Sequence, residues 1–185
     1  KGVIMRANII FHSVSGNLYL IASSIKEALI KEGIDARLYR IEDLDLHLLA
    51  AERNDVNEYY EDIFSLPIAK NEKLLSADII MLGIPSVFGM PSAEMKVFLD
   101  GTMGLYEERR LEGKYFYPFA TSSISYKDAL DAIESVENWA HLMGLISLDY
   151  PPYMHKDGLM MPNRPGEEID IMSSRLASAV KSILS

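Results

Sequence analysis

Apolar runs that favour β-strands alternate with amphipathic segments along the chain. The strand-like runs cover 3–11, 36–41, 78–84, 114–121 and 145–150. Segments with helical spacing or helix stop signals follow them and cover 18–31, 91–99, 127–143 and 167–184. Pro91 stands at the predicted first turn of its helix, where proline is tolerated. Strands that alternate with helices predict a doubly wound α/β domain, with one parallel sheet and helices on both faces.

Two connections interrupt this simple alternation. Residues 42–77 join the second and third strands, and we expect one or two helices there, because a structureless loop of that length is improbable in a compact domain. Residues 151–166 hold four prolines and two glycines, which predicts a loop before the last helix. We see no internal repeat, and the length of 185 residues suits a single domain over 1–185.

Composition excludes several classes of function. The formal net charge of -9 at pH 7 argues against a nucleic-acid partner, which would need a basic face. Because the chain has no cysteine, it has no disulfide, no thiolate nucleophile and no cysteine-ligated metal. No apolar stretch approaches the roughly 20 residues of a membrane-spanning helix. We therefore expect a soluble, cytoplasmic protein without a membrane partner.

Charged and metal-ligating side chains do not form a recognisable motif. The four histidines lack metal-ligand spacing, so no metal site is predicted; they are His12, His47, His141 and His155. Acidic residues concentrate in 42–62, where Arg53 is the only lysine or arginine. We interpret this acidic segment as a solvated helical face.

The loop after the first predicted strand has the composition of an anion site. In a doubly wound sheet, ligands bind outside the carboxyl ends of the strands, where the strand order reverses. Residues 13–18, Ser-Val-Ser-Gly-Asn-Leu, offer two hydroxyls, a glycine and the N–H groups of a helix N-terminus. The loop lacks the lysine of a P-loop and the three glycines of a dinucleotide fingerprint. It therefore favours a terminal monophosphate.

The loop after the third predicted strand, 85–91, begins and ends with proline. Such a loop is stiff, and its backbone N–H groups can serve as fixed donors to a planar heterocycle such as a flavin. Phe88 is the candidate apolar wall beside that ring. The alternative interpretation is that Phe88 caps the core, as single aromatic residues more often do.

Residues 78–106 and 111–114 resemble the central segment of the flavodoxin-like NAD(P)H:quinone oxidoreductases, the tryptophan-repressor-binding-protein family. The likeness includes the Gly-x-Pro-x-x-Phe-Gly loop at 83–89 and the Leu-x-Gly-Lys sequence at 111–114. The loop at 13–18 is similar to the same branch. The resemblance implies a flavodoxin-like fold, whose doubly wound, five-stranded parallel sheet has the strand order 2-1-3-4-5.

The resemblance also implies FMN as cofactor, with its phosphate at 13–18 and its ring at 85–89. It implies that NAD(P)H gives a hydride to the flavin and that a small quinone-like acceptor takes two electrons. Tyr106 occupies the place of an aromatic residue that lines the substrate cavity from a neighbouring subunit, which implies a homodimer or homotetramer. His155 is a candidate proton donor to the reduced quinone. The predicted cofactor-binding residues are Ser13, Ser15, Gly16, Asn17, Leu18, Pro85, Ser86, Val87, Phe88, Gly89, Ser122, Ser123 and Tyr126.

Two departures from the family pattern leave other functions open. Val87 stands where the family carries an arginine, and 121–127 holds serines, Tyr126 and Lys127 where glycines are expected. We predict a reshaped loop, since a positive φ would be strained without glycine. The alternatives to an enzyme are a flavodoxin-type electron carrier and a catalytically degenerate relative that serves as an assembly or regulatory protein.

Overall fold

The computed structural model describes residues 5–159 and 162–183, which form one mixed sheet covered by helices. Its strands are β1 (Arg6–Phe11), β2 (Asp35–Arg40), β3 (Ile79–Val87), β4 (Met90–Pro91), β5 (Tyr115–Ser122), β6 (Ile146–Ser147) and β7 (Tyr153–Lys156). The main strands are parallel and lie in the order β2-β1-β3-β5-β6. Without the two-residue β4, this is the order 2-1-3-4-5, so the predicted fold is confirmed.

Helices cover both faces of the sheet. They are α1 (Asn17–Lys31), α2 (Leu46–Glu52), α3 (Asn54–Asn57), α4 (Tyr60–Ser65), α5 (Asn71–Leu75), α6 (Ala93–Asp100), α7 (Met103–Glu107), α8 (Tyr126–Leu142) and α9 (Glu168–Ile183). Side chains of α1 and α9 pack with Ile9 and Phe11 on one face. Side chains of α6 and α8 pack with Ile10 and Leu82 on the other. Because neighbouring residues of a strand point to opposite faces, the continuous apolar runs serve both cores.

Two sequence predictions about connections were wrong in detail. The connection at 42–77 contains four short helices, α2 to α5, rather than one or two. Pro91 lies in β4, and α6 begins only at Ala93. The reason lies at Ser92, whose side chain accepts a hydrogen bond from the N–H of Met95 at 3.3 Å and so caps the helix.

The fifth position of the sheet is filled by two separate strands, which corrects the prediction of one strand at 145–150 and a loop at 151–166. The short strand β6 pairs with the start of β5, and β7 pairs with its end, both in parallel. Pro151 and Pro152 lie between them and lack the N–H that a strand ladder needs. Pairing therefore stops before this pair of prolines and resumes after it.

Across residues 5–159 and 162–183, we find no helix with both the length and the apolar character that a bilayer crossing requires.

Candidate functional site

A cleft of about 400 Å³ opens at the carboxyl ends of β1, β3 and β5. This volume lies within the range of roughly 300–1,000 Å³ that is usual for small-molecule sites. Both predicted ligand loops, 13–18 and 85–89, contribute to its wall. The lining residues are Ser13, Val14, Ser15, Leu18, Leu49, Arg53, Pro85, Ser86, Val87, Thr121, Ser123 and Asp157.

The loop before α1 presents unused hydrogen-bond donors. Gly16 is the N-cap of α1 and provides no side-chain cap. Within the described residues, no acceptor is found for the backbone N–H groups of Gly16, Asn17 and Leu18. The hydroxyls of Ser13 and Ser15 line the cleft, and no hydrogen bond is found for either of them within the described residues. Free N–H groups and hydroxyls at a helix N-terminus are suited to bind an anion.

Gly16 is needed for two local reasons. Its φ is +97°, a left-handed conformation that glycine adopts without strain. A Cβ at this position would also overlap the ring of Tyr59, with 2.9 Å to Cγ. Tyr59 therefore packs directly against the backbone of the loop, and Gly16 itself does not line the cleft.

Arg164, in the segment before α9, forms hydrogen bonds to the loop before α1. Its Nη1 donates to the carbonyl of Ser15 at 2.5 Å and to Oδ1 of Asn17 at 2.9 Å. Its Nη2 donates to the carboxylate of Glu58 at 2.5 Å, and its Cζ lies 4.8 Å from the centre of the Tyr59 ring. Arg164 thus joins the loop before α1 to the acidic segment.

Asn17, the first residue of α1, binds the loop between β7 and α9 through its side-chain amide. Its Nδ2 donates to Oδ1 of Asp157 at 2.5 Å and to the carbonyl of Asn163 at 2.9 Å. The loop after β7 is therefore attached to the start of α1 through both a backbone and a side-chain acceptor.

The segment at 85–91 is a β-hairpin, not the stiff loop between two prolines that the sequence predicts. Val87 pairs with Met90, so Phe88 and Gly89 form a two-residue turn. Both have positive φ, at 54° and 74°, as a type I′ turn requires. Phe88 is 79% exposed and lies outside the core, so the capping alternative is wrong. A non-glycine residue in this conformation is strained, and such strain is common at functional sites.

Asp128 joins the hairpin to the loop after β5. Its Oδ2 accepts hydrogen bonds from the hydroxyls of Ser86 at 2.6 Å and Ser122 at 2.7 Å. Burial disfavours the charged form, but these bonds and the N–H of Gly89 outweigh it and lower the pKa of Asp128. Asp128 is not among the residues predicted from the sequence. The sequence signal that could have identified it is the Ser125-x-x-Asp128 pattern of a helix start. The Ser125 hydroxyl caps α8 by accepting a hydrogen bond from the N–H of Asp128 at 3.1 Å.

The loop after β5 is reshaped without backbone strain. No residue of 121–127 has a positive φ. The Ser122 hydroxyl accepts from the N–H of Ile124 at 2.9 Å and of Ser125 at 3.3 Å. Tyr126 is 58% exposed, so it does not fill the cleft. Hydroxyl groups thus close a loop in which the sequence resemblance led us to expect glycine.

The cleft brings together only part of the predicted cofactor set. Predicted residues that line it are Ser13, Ser15, Leu18, Pro85, Ser86, Val87 and Ser123. Predicted residues that lie beside it on the same loops without lining it are Gly16, Asn17, Phe88, Gly89, Ser122 and Tyr126.

The two predicted catalytic residues do not reach the cleft of their own chain. Tyr106 is 47% exposed and lines a separate depression with Glu112 and Gly144, at the edge where β5 and β6 begin. His155 is buried, and its Nε2 lies 2.6 Å from the carbonyl of Asn163. The imidazole is therefore engaged with the C-terminal loop.

Several lining residues were missed because they come from distant segments. Leu49 and Arg53 come from the acidic segment, and Asp157 follows β7. Arg53 is the only cationic residue in the described wall of the cleft. The acidic segment is therefore more than a solvated face, although most of its carboxylates are exposed. The available signal was the position of Arg53 as the single cation in that segment.

His12, directly before the loop at 13–18, is fixed by two hydrogen bonds. Its Nδ1 lies 2.9 Å from the Ser92 hydroxyl and its Nε2 lies 3.0 Å from Oδ2 of Asp43. The hydrogen bond from His12 lowers the pKa of the Asp43 carboxyl, against the opposing effect of burial. The hydrogen bond between His12 and Ser92 connects the end of β1 with the start of α6.

Comparison with known sequences gives matches over the part of the chain that carries these loops. The sequence model of a family described as NADPH-dependent FMN reductase matches residues 5–150. An NAD(P)H dehydrogenase (quinone) of Archaeoglobus fulgidus is 31% identical over 153 residues, which are 80% of this chain and 77% of the relative. A protein of the same name from Aromatoleum aromaticum is 28% identical over 148 residues, which are 80% of this chain and 71% of the relative.

Solved structures share the fold over nearly the whole chain. The flavodoxin, WrbA-like protein from Agrobacterium tumefaciens superposes with a TM-score of 0.70 at 19% identity, covering 98% of this chain and 99% of that one. Oxidised flavodoxin 1 from Bacillus cereus superposes with a TM-score of 0.69 at 16% identity, and the match covers 97% of this chain and 99% of that one. At such identities the likeness establishes the fold alone.

Asp157 and Arg164 lie outside the segment that the family model matches.

Proposed function

The chain belongs to the NADPH-dependent FMN reductase family, and on this premise we propose that it is an FMN-dependent oxidoreductase that uses NAD(P)H to reduce small quinone-like acceptors. The name shared by its sequence relatives, NAD(P)H dehydrogenase (quinone), supports the reaction. The observation that carries the proposal is the convergence of the loops at 13–18 and 85–89 on one cleft.

The donors at the phosphate end fit FMN. The hydroxyls of Ser13 and Ser15 line the cleft, and the N–H groups at the start of α1 have no acceptor among the described residues, so these donors would be available to a doubly charged phosphate. Because the α1 N-terminus also carries a partial positive charge, it stabilises an anion there. The loop has no lysine for a further phosphate group, so a monophosphate suits it best.

The hairpin side of the cleft fits the flavin ring. Bound FMN would supply the hydride and electron chemistry, while the protein supplies position and the exclusion of water. Val14, Leu18, Leu49 and Val87 provide apolar surface to the cleft. Asp128 fixes the hairpin by bonds to the ends of β3 and β5, the two strands that would flank the ring. These residues hold the ring site in one shape.

We assign Tyr106 to the site of a neighbouring subunit in a homodimer or homotetramer. Tyr106 is half exposed and lies away from the cleft of its own chain. Two further apolar side chains are exposed there: Met103 lies three residues before Tyr106 on α7, and Leu142 lines the same depression. A surface of this kind supports burial between subunits.

Flavin binding and turnover test the proposal. The purified protein should be yellow or become yellow on addition of FMN. Under anaerobic conditions, NADH or NADPH should bleach the flavin, and a benzoquinone should then restore its absorbance over many turnovers. A flavodoxin-type carrier would bind FMN without steady turnover, and an assembly protein would not bind FMN.

A further inference from the structure

The loop at 13–18 contains no cation, although a phosphate monoester carries about -1.5 to -2 charges at pH 7. Arg53 is the only cationic residue in the described wall of the cleft. We propose that Arg53 binds the terminal phosphate of the flavin nucleotide, that Asp55 orients its side chain and that Arg164 holds the backbone segment that carries it. This inference rests on the proposed function, because it requires FMN to occupy the cleft.

The orientation of Arg53 is set by Asp55. The Nε and Nη2 atoms of Arg53 donate to the two carboxylate oxygens of Asp55 at 3.1 Å and 2.6 Å. The Arg53 guanidinium in turn lowers the pKa of Asp55, so the carboxylate stays charged at neutral pH. A guanidinium has five N–H donors, and those that Asp55 does not use remain for phosphate oxygens.

Arg53 also stands where the cleft continues into a smaller chamber. This chamber has about 210 Å³ and shares Ser15, Ser123 and Asp157 with the main cleft. The side chain of Arg53 is 51% exposed, so it is accessible to a ligand from either space. Ser15 lies in the anion loop, which places the cation beside the predicted phosphate position.

Arg164 holds the segment that carries Arg53. Besides its bonds to Ser15 and Asn17, Arg164 contacts the carbonyl of Asp55 at 3.4 Å and the carboxylate of Glu58 at 2.5 Å. It also stacks over Tyr59, which covers Gly16. The acidic segment and the anion loop are therefore connected through one guanidinium. The acidic residues of 42–62 are compatible with phosphate binding because most of them are exposed, whereas Arg53 lines the cleft.

The test compares FMN with riboflavin, which has the same ring and no phosphate. For Arg53→Gln we expect the dissociation constant for FMN to rise about 10- to 100-fold, the range of a lost charge-assisted hydrogen bond. The constant for riboflavin should change less than about twofold. Titration of intrinsic flavin fluorescence measures both, and the NaCl dependence of FMN binding should be weaker in the variant.

Arg37→Gln is the matched control. Arg37 also binds an aspartate two residues away through Nε and Nη2, both at 3.0 Å, and its side chain is 50% exposed. It lies on β2 and not in the wall of the cleft. This variant should bind FMN and riboflavin as the unmodified protein does. Thermal unfolding of both variants shows that each is folded, and Arg53→Lys should recover part of the FMN affinity.

The outcomes are distinct. Unchanged FMN affinity in Arg53→Gln overturns the inference, and so does an equal loss for FMN and riboflavin, which would mean that Arg53 only shapes the cleft. Equal affinity of the unmodified protein for both flavins also overturns it. If the unmodified protein binds neither flavin, the proposed function itself fails.

Discussion

The hydroxyl of Ser86 donates to the carboxylate of Asp128 at 2.6 Å and so ties the end of β3 to the start of α8. The same carboxylate oxygen holds Ser122 at the end of β5. Two neighbouring strand ends, which border the proposed flavin ring, are thus fixed by one acidic group.

Replacement of Asp128 should destabilise the ends of β3 and β5. Asp128→Asn should lower the free energy of unfolding by about 1–3 kcal/mol at pH 7, since two hydroxyls and a backbone N–H lose their charged acceptor. Urea denaturation measures the change. Asp100→Asn is the control, because Asp100 pairs with Lys96 on the exposed surface, and its loss should cost less than about 1 kcal/mol.

The same residue predicts a pH dependence. The pKa of Asp128 is lowered in the folded state, so its charged form stabilises the fold above the unfolded pKa of about 3.9. This contribution is lost as the pH falls through the lowered, folded pKa. The difference in melting temperature between the unmodified protein and Asp128→Asn should therefore be largest near pH 7 and shrink below pH ~4. A difference that grows in acid would contradict the assignment.

Arg164→Met should release the acidic segment from the anion loop. It removes four hydrogen-bonding contacts and a cation–π contact while it keeps most of the side-chain volume. Hydrogen exchange should then quicken in 53–59, 157–159 and 163–164. FMN affinity should fall because Arg53 is no longer held in position beside the loop at 13–18. Arg175→Met, at an exposed site on α9, is the control and should leave both unchanged.

Gly16→Ala separates the two reasons for glycine in the anion loop. The substitution should destabilise the protein by about 2–4 kcal/mol, since it combines a left-handed φ of +97° with a clash against Tyr59. In a Tyr59→Ala background the clash is absent, and only the backbone cost of about 1 kcal/mol should remain. Equal costs in both backgrounds would show that packing against Tyr59 plays no part. Chemical denaturation of the four proteins gives the comparison.

The fold and the two ligand loops could be predicted because their causes are local. Strand-like runs that alternate with helical segments leave little choice of architecture, and the loops at 13–18 and 85–89 fall where such a sheet binds ligands. The turn at Phe88 and Gly89 was missed because its first residue has an unusual conformation for phenylalanine. Nothing in the local pattern favours a left-handed aromatic residue.

The parts of the site that could not be predicted depend on contacts between distant segments. Arg164 meets Asp55, which is 109 residues away, and Asn17 meets Asp157 across 140 residues. No periodicity or motif of one sequence encodes such pairs. The strand β7 was missed for a related reason, since its partner β5 decides that residues after two prolines resume pairing.

Phe88 provides a prediction in which stability and function change in opposite directions. Asparagine tolerates a positive φ far better than phenylalanine, so Phe88→Asn should raise the free energy of unfolding by about 1 kcal/mol. If the exposed ring is the apolar wall of the flavin site, the same variant should lose acceptor turnover. Urea denaturation and steady-state benzoquinone reduction measure the two effects.

Arg109→Asn shows what relief of backbone strain does alone. Arg109 has a φ of 51°, close to the 54° of Phe88, and it lies outside the flavin cleft, where its side chain forms a surface ion pair with Glu112. A stability gain of similar size at both positions would identify the strain as the common cause. A loss of turnover in Phe88→Asn then reports on the ring itself. If Phe88→Asn gains stability and keeps its acceptor kinetics, the strained turn does not serve the reaction, and the apolar wall must come from another residue such as Val87.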